Sequence, residues 1–321
     1  MKFLFLMDPP HTINIKKDTS FAFMESAHGR DHQVYYLPKG NIALNQGAVV
    51  FTVFPATPQR VPDQPLILGD ETRLTDAEID AVFIRPDPPF DAEYLMNTWL
   101  LDHVAEHVVV VNKPSGVRTV NEKLWATQFT EIIPRTLVTR HKRDYLRFLE
   151  QEGEAIVKPP NSYGGNGVFR VRHGDLNTNV TFEVLSGNER SEVIVQEYLP
   201  AASEGDKRVL LLNGEYLGAV LRVHNELDHR NNFFAGGSAA AATITEQERV
   251  IIETLQPHLR HLGLYFVGID IIGERLVEVN VTSPTGIQEA SHFAGRRLDE
   301  DVIDFVEELA EERQTEREAM T

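Results

Sequence analysis

The sequence predicts a protein of mixed class, a parallel α/β unit at the N-terminus followed by α+β units. Three observations carry that reading. Over roughly the first 120 residues, apolar strand-like runs alternate with helical periodicities, the pattern of a parallel sheet. Beyond that point strands follow one another through short loops, as in IVKPPNSYGGNGVFRV (156–171) and KRVLLLNGEYLGAVLRV (207–223). The chain has 321 residues, 42% of them hydrophobic and 25% charged, enough for two or three domains with sizeable cores.

The elements follow in order. KFLFLM (2–7) is a buried strand, and SFAFMESAHGR (20–30) a helix capped by Asp18 or Thr19. HQVYYL (32–37) is a second strand, and VVFTVFPA (49–56) a hairpin arm in a proline-dotted stretch. LTDAEIDAVFIRPDPPFD (74–91) reads as a short capped helix, the strand AVFIR, and a stop at its prolines. YLMNTWLLDHVAEH (94–107) is an amphipathic helix, and VVVVN (108–112) a strand buried on both faces. NEKLWATQFTEI (121–132) is expected to be a helix, followed by strand TLVTR, helix RDYLRFLEQEG, and strand EAIVKP. EVIVQEYLP (192–200) is another strand. Asn213-Gly214 is a strong hairpin-turn signal between two apolar runs. ITEQERVIIETLQPHLRHLG (244–263) is a long helix, LYFVGIDIIGERLVEVNVTSP (264–284) two strands joined at Gly273-Glu274, and LDEDVIDFVEELAEERQ (298–314) a helix whose acidic face suits solvent.

Composition excludes several classes. The net charge of -17 argues against nucleic acid as a partner, because phosphate backbones need a basic footprint. There is no cysteine, hence no disulfide, thiolate metal site or cysteine nucleophile, which fits a cytoplasmic protein. The apolar run in MKFLFLMDPP is too short for a signal sequence, and no stretch is long and apolar enough to span a membrane.

The chemistry begins with the loop after Lys158, which holds Gly164, Gly165 and Gly167 between two strands. A P-loop or a dinucleotide fingerprint would open a helix, and neither pattern is present. Such a loop either folds over phosphates, offering backbone N–H groups with Lys158 as a point charge, or is an ordinary hairpin loop. Farther on, Glu278 and Asn280 project from one strand face, and Asp270 can sit opposite them. Three oxygen side chains on an otherwise apolar face need a partner, and Mg²⁺ with phosphate oxygens supplies one. The backbone from Gln196 to Leu199 ends a strand and can meet an adenine edge.

These stretches resemble the ATP-grasp superfamily, and more closely the bacterial glutathione synthetase family. The matching runs are MDPPHTINIKKDTSFA, FIRPDPPFD, VVNKPSGVRTVNEKLW, IVKPPNSYGGNGVFRV, VQEYLP, EGDKRVLLLNGEY and FVGIDIIGERLVEVNVTSPTGI, in the family's order from residue 7 to residue 287. The resemblance implies a three-domain ATP-grasp fold: a substrate-binding α/β domain at 1–121, a central ATP-grasp domain at 122–199, and a C-terminal domain with the metal site at 200–321. It implies ATP-dependent joining of γ-glutamylcysteine to glycine through an acyl phosphate, with positioning and charge neutralisation as the protein's share.

By the same resemblance Lys123 and Lys158 contact ATP phosphates, Ser162 to Gly167 cover them, and Glu197, Tyr198 and Leu199 hold adenine beside Gln196. Asp206 lies near the ribose or the metals, and Asp270, Glu278 and Asn280 bind two Mg²⁺, with Mn²⁺ as the alternative. Arg85 matches a dipeptide-binding arginine, with Asn14 as a further substrate contact. Arg208 and Arg222 suit an acyl phosphate, and a lid carries Arg230, Gly236 and Gly237. The resemblance also implies a homo-oligomer such as a tetramer. The chain departs from the pattern at Asn231 to Phe234, at Asn161 to Tyr163, and at Gly286 and Gln288, where the family often has a cysteine and an arginine. His224, Asp228 and His229 have a spacing that a metal could use, and an exposed loop explains them equally well. Two other readings stay open. One is an ATP-grasp ligase for a different carboxylate and amine. The other is a nucleotide-binding module without catalysis, against which the intact Asp270, Glu278 and Asn280 argue.

Overall fold

The computed structural model describes residues 1–223 and 238–320, with the side chains of Ser238 and Met320 set aside. The first unit runs β1 (Lys2–Met7), α1 (Thr19–Gly29), β2 (Gln33–Pro38), β3 (Ile42–Asn45), β4 (Ala48–Pro58), β5 (Leu66–Leu68), β6 (Thr72–Thr75), β7 (Ala81–Ile84), α2 (Ala92–Leu101), β8 (Val109–Val111) and α3 (Pro114–Thr119). Its central strands pair in parallel in the order β2-β1-β7-β8. The sheet is mixed rather than wholly parallel, because the proline-dotted stretch adds β3, β4, β5 and β6 as antiparallel neighbours at one edge. The parallel strands are apolar on both faces, as a sheet covered from both sides requires. Asp18 caps α1 by accepting from the Phe21 N–H at 2.7 Å.

The second unit runs β9 (Thr136–Thr139), α4 (Lys142–Glu152), β10 (Glu154–Lys158), β11 (Phe169–Arg172), α5 (Thr178–Leu185) and β12 (Val193–Glu197). Its antiparallel sheet has the order β11-β10-β12-β9. Tyr145, Phe148, Phe182, Val157 and Val195 form a separate core under it.

The third unit contains β13 (Asp206–Leu212), β14 (Glu215–Val223), β15 (Ser238–Ala241), α6 (Glu246–Leu262), β16 (Phe266–Ile272), β17 (Arg275–Asn280), α7 (Ile287–Ala294) and α8 (Leu298–Met320). The sheet order is β15-β14-β13-β16-β17, all antiparallel. Asn213 and Gly214, at φ 48 and 77, make the tight turn between β13 and β14 that two positive φ values in sequence allow. Thr245 and Glu248 form a capping box at the start of α6, and Gly263 ends it in the left-handed region.

The first and third units share their cores. One apolar cluster joins Leu4, Leu6 and Val82 to Val209, Val267 and Leu255, and a second joins Phe5 and Phe83 to Leu210, Phe266 and Leu298. Buried Asn112 stitches the seam: its amide donates to the carbonyls of Phe266 and Val281 and accepts from the Phe266 N–H at 2.8 Å. The second unit, with its own core, stands over this body as a separate lobe.

Two expectations fail locally. The run 121–132 holds only a 3-10 turn at Trp125–Gln128: the Asn121 side chain accepts from the N–H groups of Lys123 and Leu124 as a helix cap does, but no α-helix follows. The helix expected over 94–107 starts earlier, at Ala92 behind the cap Asp91, and ends at Leu101. The acidic face of α8 is also partly paired, since Arg30 meets Asp304 and Glu307. Among the described residues no helix is long and apolar enough to cross a membrane.

A close approach between units makes one glycine indispensable. A Cβ on Gly116 of α3 would stand 2.2 Å from the Leu262 carbonyl oxygen at the end of α6. Gly116→Ala is expected to lose ~2–3 kcal/mol through forced overpacking. The urea midpoint should fall at unchanged slope, whereas a wild-type midpoint would mean that α3 and α6 can move apart freely.

Candidate active site

The site is built on the face of the third sheet that looks at the lobe. Register places its charges side by side: Asp206 of β13 opposite Arg222 of β14, Arg208 of β13 opposite Asp270 of β16, and Asp270 opposite Glu278 of β17. Because residues two apart on a strand share a face, Asp206 joins Arg208, and Asn280 joins Glu278.

These residues form one buried network. Arg222 is held bidentate by Asp206, with both contacts at 2.7 Å, and its Nη2 also lies 2.9 Å from Asp270. Arg208 grips Asp270 through Nε at 2.5 Å and Nη2 at 3.0 Å and reaches the Thr285 carbonyl at 3.0 Å. Burial alone would raise the Asp270 carboxyl, but the two guanidiniums hold it well below the usual carboxylate range. Asp270 therefore already has cationic partners, Arg208 and Arg222, where the sequence reading gave it only a metal.

The lobe supplies the opposing wall. Lys158 ends β10 and donates to Gln196 Oε1 at 3.1 Å. It is buried, with 8% of its surface exposed, and that burial pulls its ammonium down to about 8. Lys123 donates to Glu278 Oε1 at 2.7 Å and to the Ser162 carbonyl, tying the glycine loop to β17. Burial would lower Lys123 too, but Glu278 outweighs it and the net shift is upward.

Between lobe and sheet lies a cavity of about 360 Å³. Of the residues singled out in the sequence, Lys123, Lys158, Ser162, Gly164, Gly165, Gln196, Tyr198, Asp206, Arg208, Arg222, Asp270, Glu278 and Asn280 line it. Gly167, Glu197 and Leu199 do not. Gly167, at φ 70, packs on Pro159 and shapes the turn. The Glu197 side chain turns away to accept from the Arg135 N–H at 3.0 Å. The N–H groups of Glu197 and Tyr198 are engaged by the carbonyls of Arg135 and Glu154, which leaves the Leu199 amide as the donor of that run without an internal acceptor among the described residues. The Arg170 guanidinium stacks 3.8 Å from the Tyr198 ring centre at the mouth of this slot.

A second cavity of about 280 Å³ adjoins the first and shares Asp87, Ser283 and Thr285 with it. Asn14 and Arg85 line it. Arg85 is buried, and burial lowers its guanidinium against the pull of Asp18 and Asp87. It donates to Ser20 Oγ at 3.0 Å and to the Pro284 carbonyl at 2.9 Å, so it braces the loop between the two cavities. Arg230, Gly236 and Gly237, and with them His224, Asp228 and His229, lie outside the described residues.

The sequence reading missed Glu122, Asp87, Ser283, Thr285 and Glu289. Glu122 lies next to Lys123 in a stretch expected to be helical, and its carboxylate instead takes the N–H groups of Val281 and Thr282 and the Thr282 hydroxyl. Burial, then the neighbouring Glu278, pushes its carboxyl up.

The donor set was tested for a divalent cation. Among the described residues no group of three His, Asp or Glu side chains converges closely enough to hold a metal. The candidate donors are the carboxylates of Asp270 and Glu278 and the amide of Asn280, and the carboxylates of Asp87, Glu122 and Asp206 also line the cavity. The Asn280 Nδ2 donates to the Gly268 carbonyl at 3.3 Å, which turns its oxygen away from that strand. All are hard donors, and two carboxylates completed by phosphate oxygens and water suit Mg²⁺ better than an all-protein cage would. The residues therefore fit such an ion bound together with a phosphate ligand.

Comparison with known proteins agrees with this geometry. The family model for the prokaryotic glutathione synthetase N-terminal domain matches residues 1–118, and that for the prokaryotic glutathione synthetase ATP-grasp domain matches residues 122–295. The glutathione synthetase of Thermosynechococcus vestitus is 41% identical over 313 residues, covering 94% of this chain and 98% of its own. That of Nostoc sp. is 41% identical over 322 residues, covering 96% and 98%. Among solved structures, the ATP-grasp ligase PsnB in complex with a phosphomimetic variant of its minimal precursor, Mg and ADP is similar in fold, with a TM-score of 0.63 at 17% identity over 95% of this chain and 98% of its own.

Proposed function

The chain belongs to the prokaryotic glutathione synthetase family, with the ATP-grasp fold of an ATP-dependent ligase, and from that premise we propose how its own residues join γ-glutamylcysteine to glycine. The observation that carries the reading is the facing of two buried lysines and a glycine loop against the Asp206–Arg222–Asp270–Arg208 network across one cavity. Lys123 and Lys158 bind the phosphates of ATP, with the N–H groups of Gly164 and Gly165 folded over them. The slot beside Gln196, Tyr198 and the Leu199 amide takes the base. The donor lies in the second cavity, and its cysteinyl carboxylate enters the first beside Arg208.

That carboxylate oxygen attacks the γ-phosphorus, ADP leaves, and an acyl phosphate forms. The amine of glycine then attacks the carbonyl carbon, phosphate leaves, and the surplus ammonium proton passes to solvent. Arg208 and Arg222 stabilise charge that spreads over the phosphoryl oxygens, from guanidiniums already oriented by Asp206 and Asp270. Asp270, Glu278 and Asn280 would hold divalent ions, two Mg²⁺ on the family pattern or Mn²⁺ in their place, which neutralise the triphosphate when bound. The reading also makes the enzyme a cytoplasmic homo-oligomer, with a tetramer the form to look for by light scattering. Three domains, at 1–121, 122–199 and 200–321, suit this division of labour.

Phosphate release from ATP with Mg²⁺ tests the function, with each of γ-glutamylcysteine and glycine omitted in turn. Release is expected only with both, with glutathione formed. Ligation of other donors and amines but not this pair would move the assignment within the ATP-grasp ligases, and ATP binding without turnover of any pair would favour a non-catalytic module.

A further inference from the structure

Resting on the reading that ATP binds in the first cavity, we propose that Asn161 is a positioning residue: it latches the glycine loop to the body before nucleotide arrives, and so sets how fast nucleotide enters and leaves. The loop after Lys158 is built to move as one piece. Inside it the Ser162 hydroxyl donates to the Pro159 carbonyl at 3.1 Å, the Asn166 N–H to the Tyr163 carbonyl at 3.2 Å, and the Val168 N–H to the Gly165 carbonyl at 3.4 Å. Among the described residues, two hydrogen bonds tie this piece to the body. Asn121 donates from Nδ2 to Asn161 Oδ1 at 3.0 Å, and Lys123 donates to the Ser162 carbonyl. Both arise from the stretch 121–123, which lies along β17 through the Val279 N–H, bonded to the Glu122 carbonyl at 2.9 Å.

Chemistry separates the two ties. The Lys123 ammonium is a phosphate ligand in the proposed function, so an incoming triphosphate draws it away from Ser162. Asn121 has no such competitor, because its Oδ1 already accepts the N–H groups of Lys123 at 3.1 Å and Leu124 at 3.0 Å. Those two bonds fix which end of the amide is which, since the atom taking two N–H groups must be the oxygen. Its Nδ2 is therefore aimed at the loop and needs an acceptor. Asn161, which opens the run 161–163 where the chain departs from the family pattern, supplies one without a charge. A carboxylate there would accept equally well, but it would set a negative charge on the loop that covers phosphates. The pair is open to solvent, so water competes for it and the tie is breakable, as a latch on a moving loop must be.

A latch made both with and without nucleotide has a kinetic signature. Ser162, Tyr163, Gly164 and Gly165 wall the cavity, so a triphosphate held beneath them enters while the loop is raised. Binding then proceeds at a rate scaled by the fraction of molecules whose loop is raised, and release scales in the same way. Cutting the latch raises both rates and leaves the affinity nearly unchanged. A side chain that merely braced the bound loop would act on release alone and would weaken affinity.

Stopped-flow binding of anthraniloyl-labelled ATP with Mg²⁺, and its displacement by excess ATP, measure both rates for wild type, Asn161→Ala and Asn161→Asp. Asn161→Ala is expected to raise both by ~2- to 10-fold, the scale of one neutral hydrogen bond, with Kd within about 2-fold of wild type. Asn161→Asp keeps the acceptor and is expected to show no rise in the on-rate, because the restored latch and the added repulsion both hold it down. An unchanged on-rate in Asn161→Ala, or an on-rate in Asn161→Asp as fast as in Asn161→Ala, overturns the latch and leaves the nucleotide site in place. No binding of the labelled ATP by wild type overturns the nucleotide reading as well.

Discussion

Asp270→Asn is expected to lower turnover by ~10²–10³ and to destabilise the fold by ~3–5 kcal/mol, the cost of leaving a buried charge unbalanced. Asp270 is 4% exposed and stands between Arg208 and Arg222, themselves 6% and 3% exposed. The two aspartates and two arginines of the network balance, so a neutral amide leaves one guanidinium unmatched away from water. The pH dependence follows in sign. Asp270 titrates below its ordinary value in the fold, so its contribution is complete above the ordinary carboxylate range and is lost as pH falls through the depressed value. The variant should lack that part of the acid limb. Stability and catalysis can be separated with the double variant Arg208→Met/Asp270→Leu, which leaves Asp206 and Arg222 as a balanced pair. Urea unfolding should return to within ~1 kcal/mol of wild type, while phosphate release stays at the floor. Recovery of turnover in the double variant would make Asp270 a structural residue only.

That network explains how far the sequence could be read. Asp270, Glu278 and Asn280 were legible because they lie on two strands joined by a tight turn, where period two fixes the shared face. Arg208 opposite Asp270 was not legible, because β13 and β16 are neighbours in the sheet but are separated in the chain by β14, β15 and α6. The salt bridges of Asp270 to Arg208 and Arg222 escaped the sequence reading for that reason. Strong local signals held: the cap of α1 is Asp18, one of the two candidates, the Asn213-Gly214 turn forms, and β1, β2, β7 and β8 pair in parallel, although their order was not read. Short helices did not announce themselves. α3, α5 and α7 span six to eight residues, too few for apolar periodicity to stand out from a loop. Gly167 and Gly165 look equivalent in the sequence, and only the packing of Pro159 separates the glycine that shapes the turn from the one that faces the cavity. Glu289 carries no motif at all. It reaches the wall of the second cavity only once α7 is set against α1.

Lys158→Met is expected to make the protein more stable at neutral pH and far less active. Burial, together with repulsion from Lys123, holds the Lys158 ammonium at about 8 against the attraction of Glu278 and Asp270, where an exposed lysine titrates at 10.5. Each pKa unit is worth about 1.4 kcal/mol, so keeping the charge inside costs the ligand-free fold ~3 kcal/mol below pH 8. The slope has the same sign as that for Asp270, since both groups titrate below their ordinary values, but here the fold disfavours the charged form instead of favouring it. Between about 8 and 10.5 the unfolded chain binds this proton and the fold does not, so wild-type stability should rise with pH across that window. The methionine variant, similar in length and apolar, should lose that slope and start from the higher value. Urea midpoints at pH 7 and pH 10 measure both. The same cost becomes useful when a triphosphate enters, because phosphate restores the charged lysine. Nucleotide binding near pH 8 should then take up protons, seen as a difference in calorimetric heat between buffers of unlike ionisation enthalpy. In the variant the proton uptake should vanish, the KM for ATP should rise, and kcat/KM should fall by ~10²–10³. A variant that keeps its ATP KM and its proton uptake would show that Lys158 does not meet the phosphates, and the lysine beside Glu278 would then be left to hold them alone.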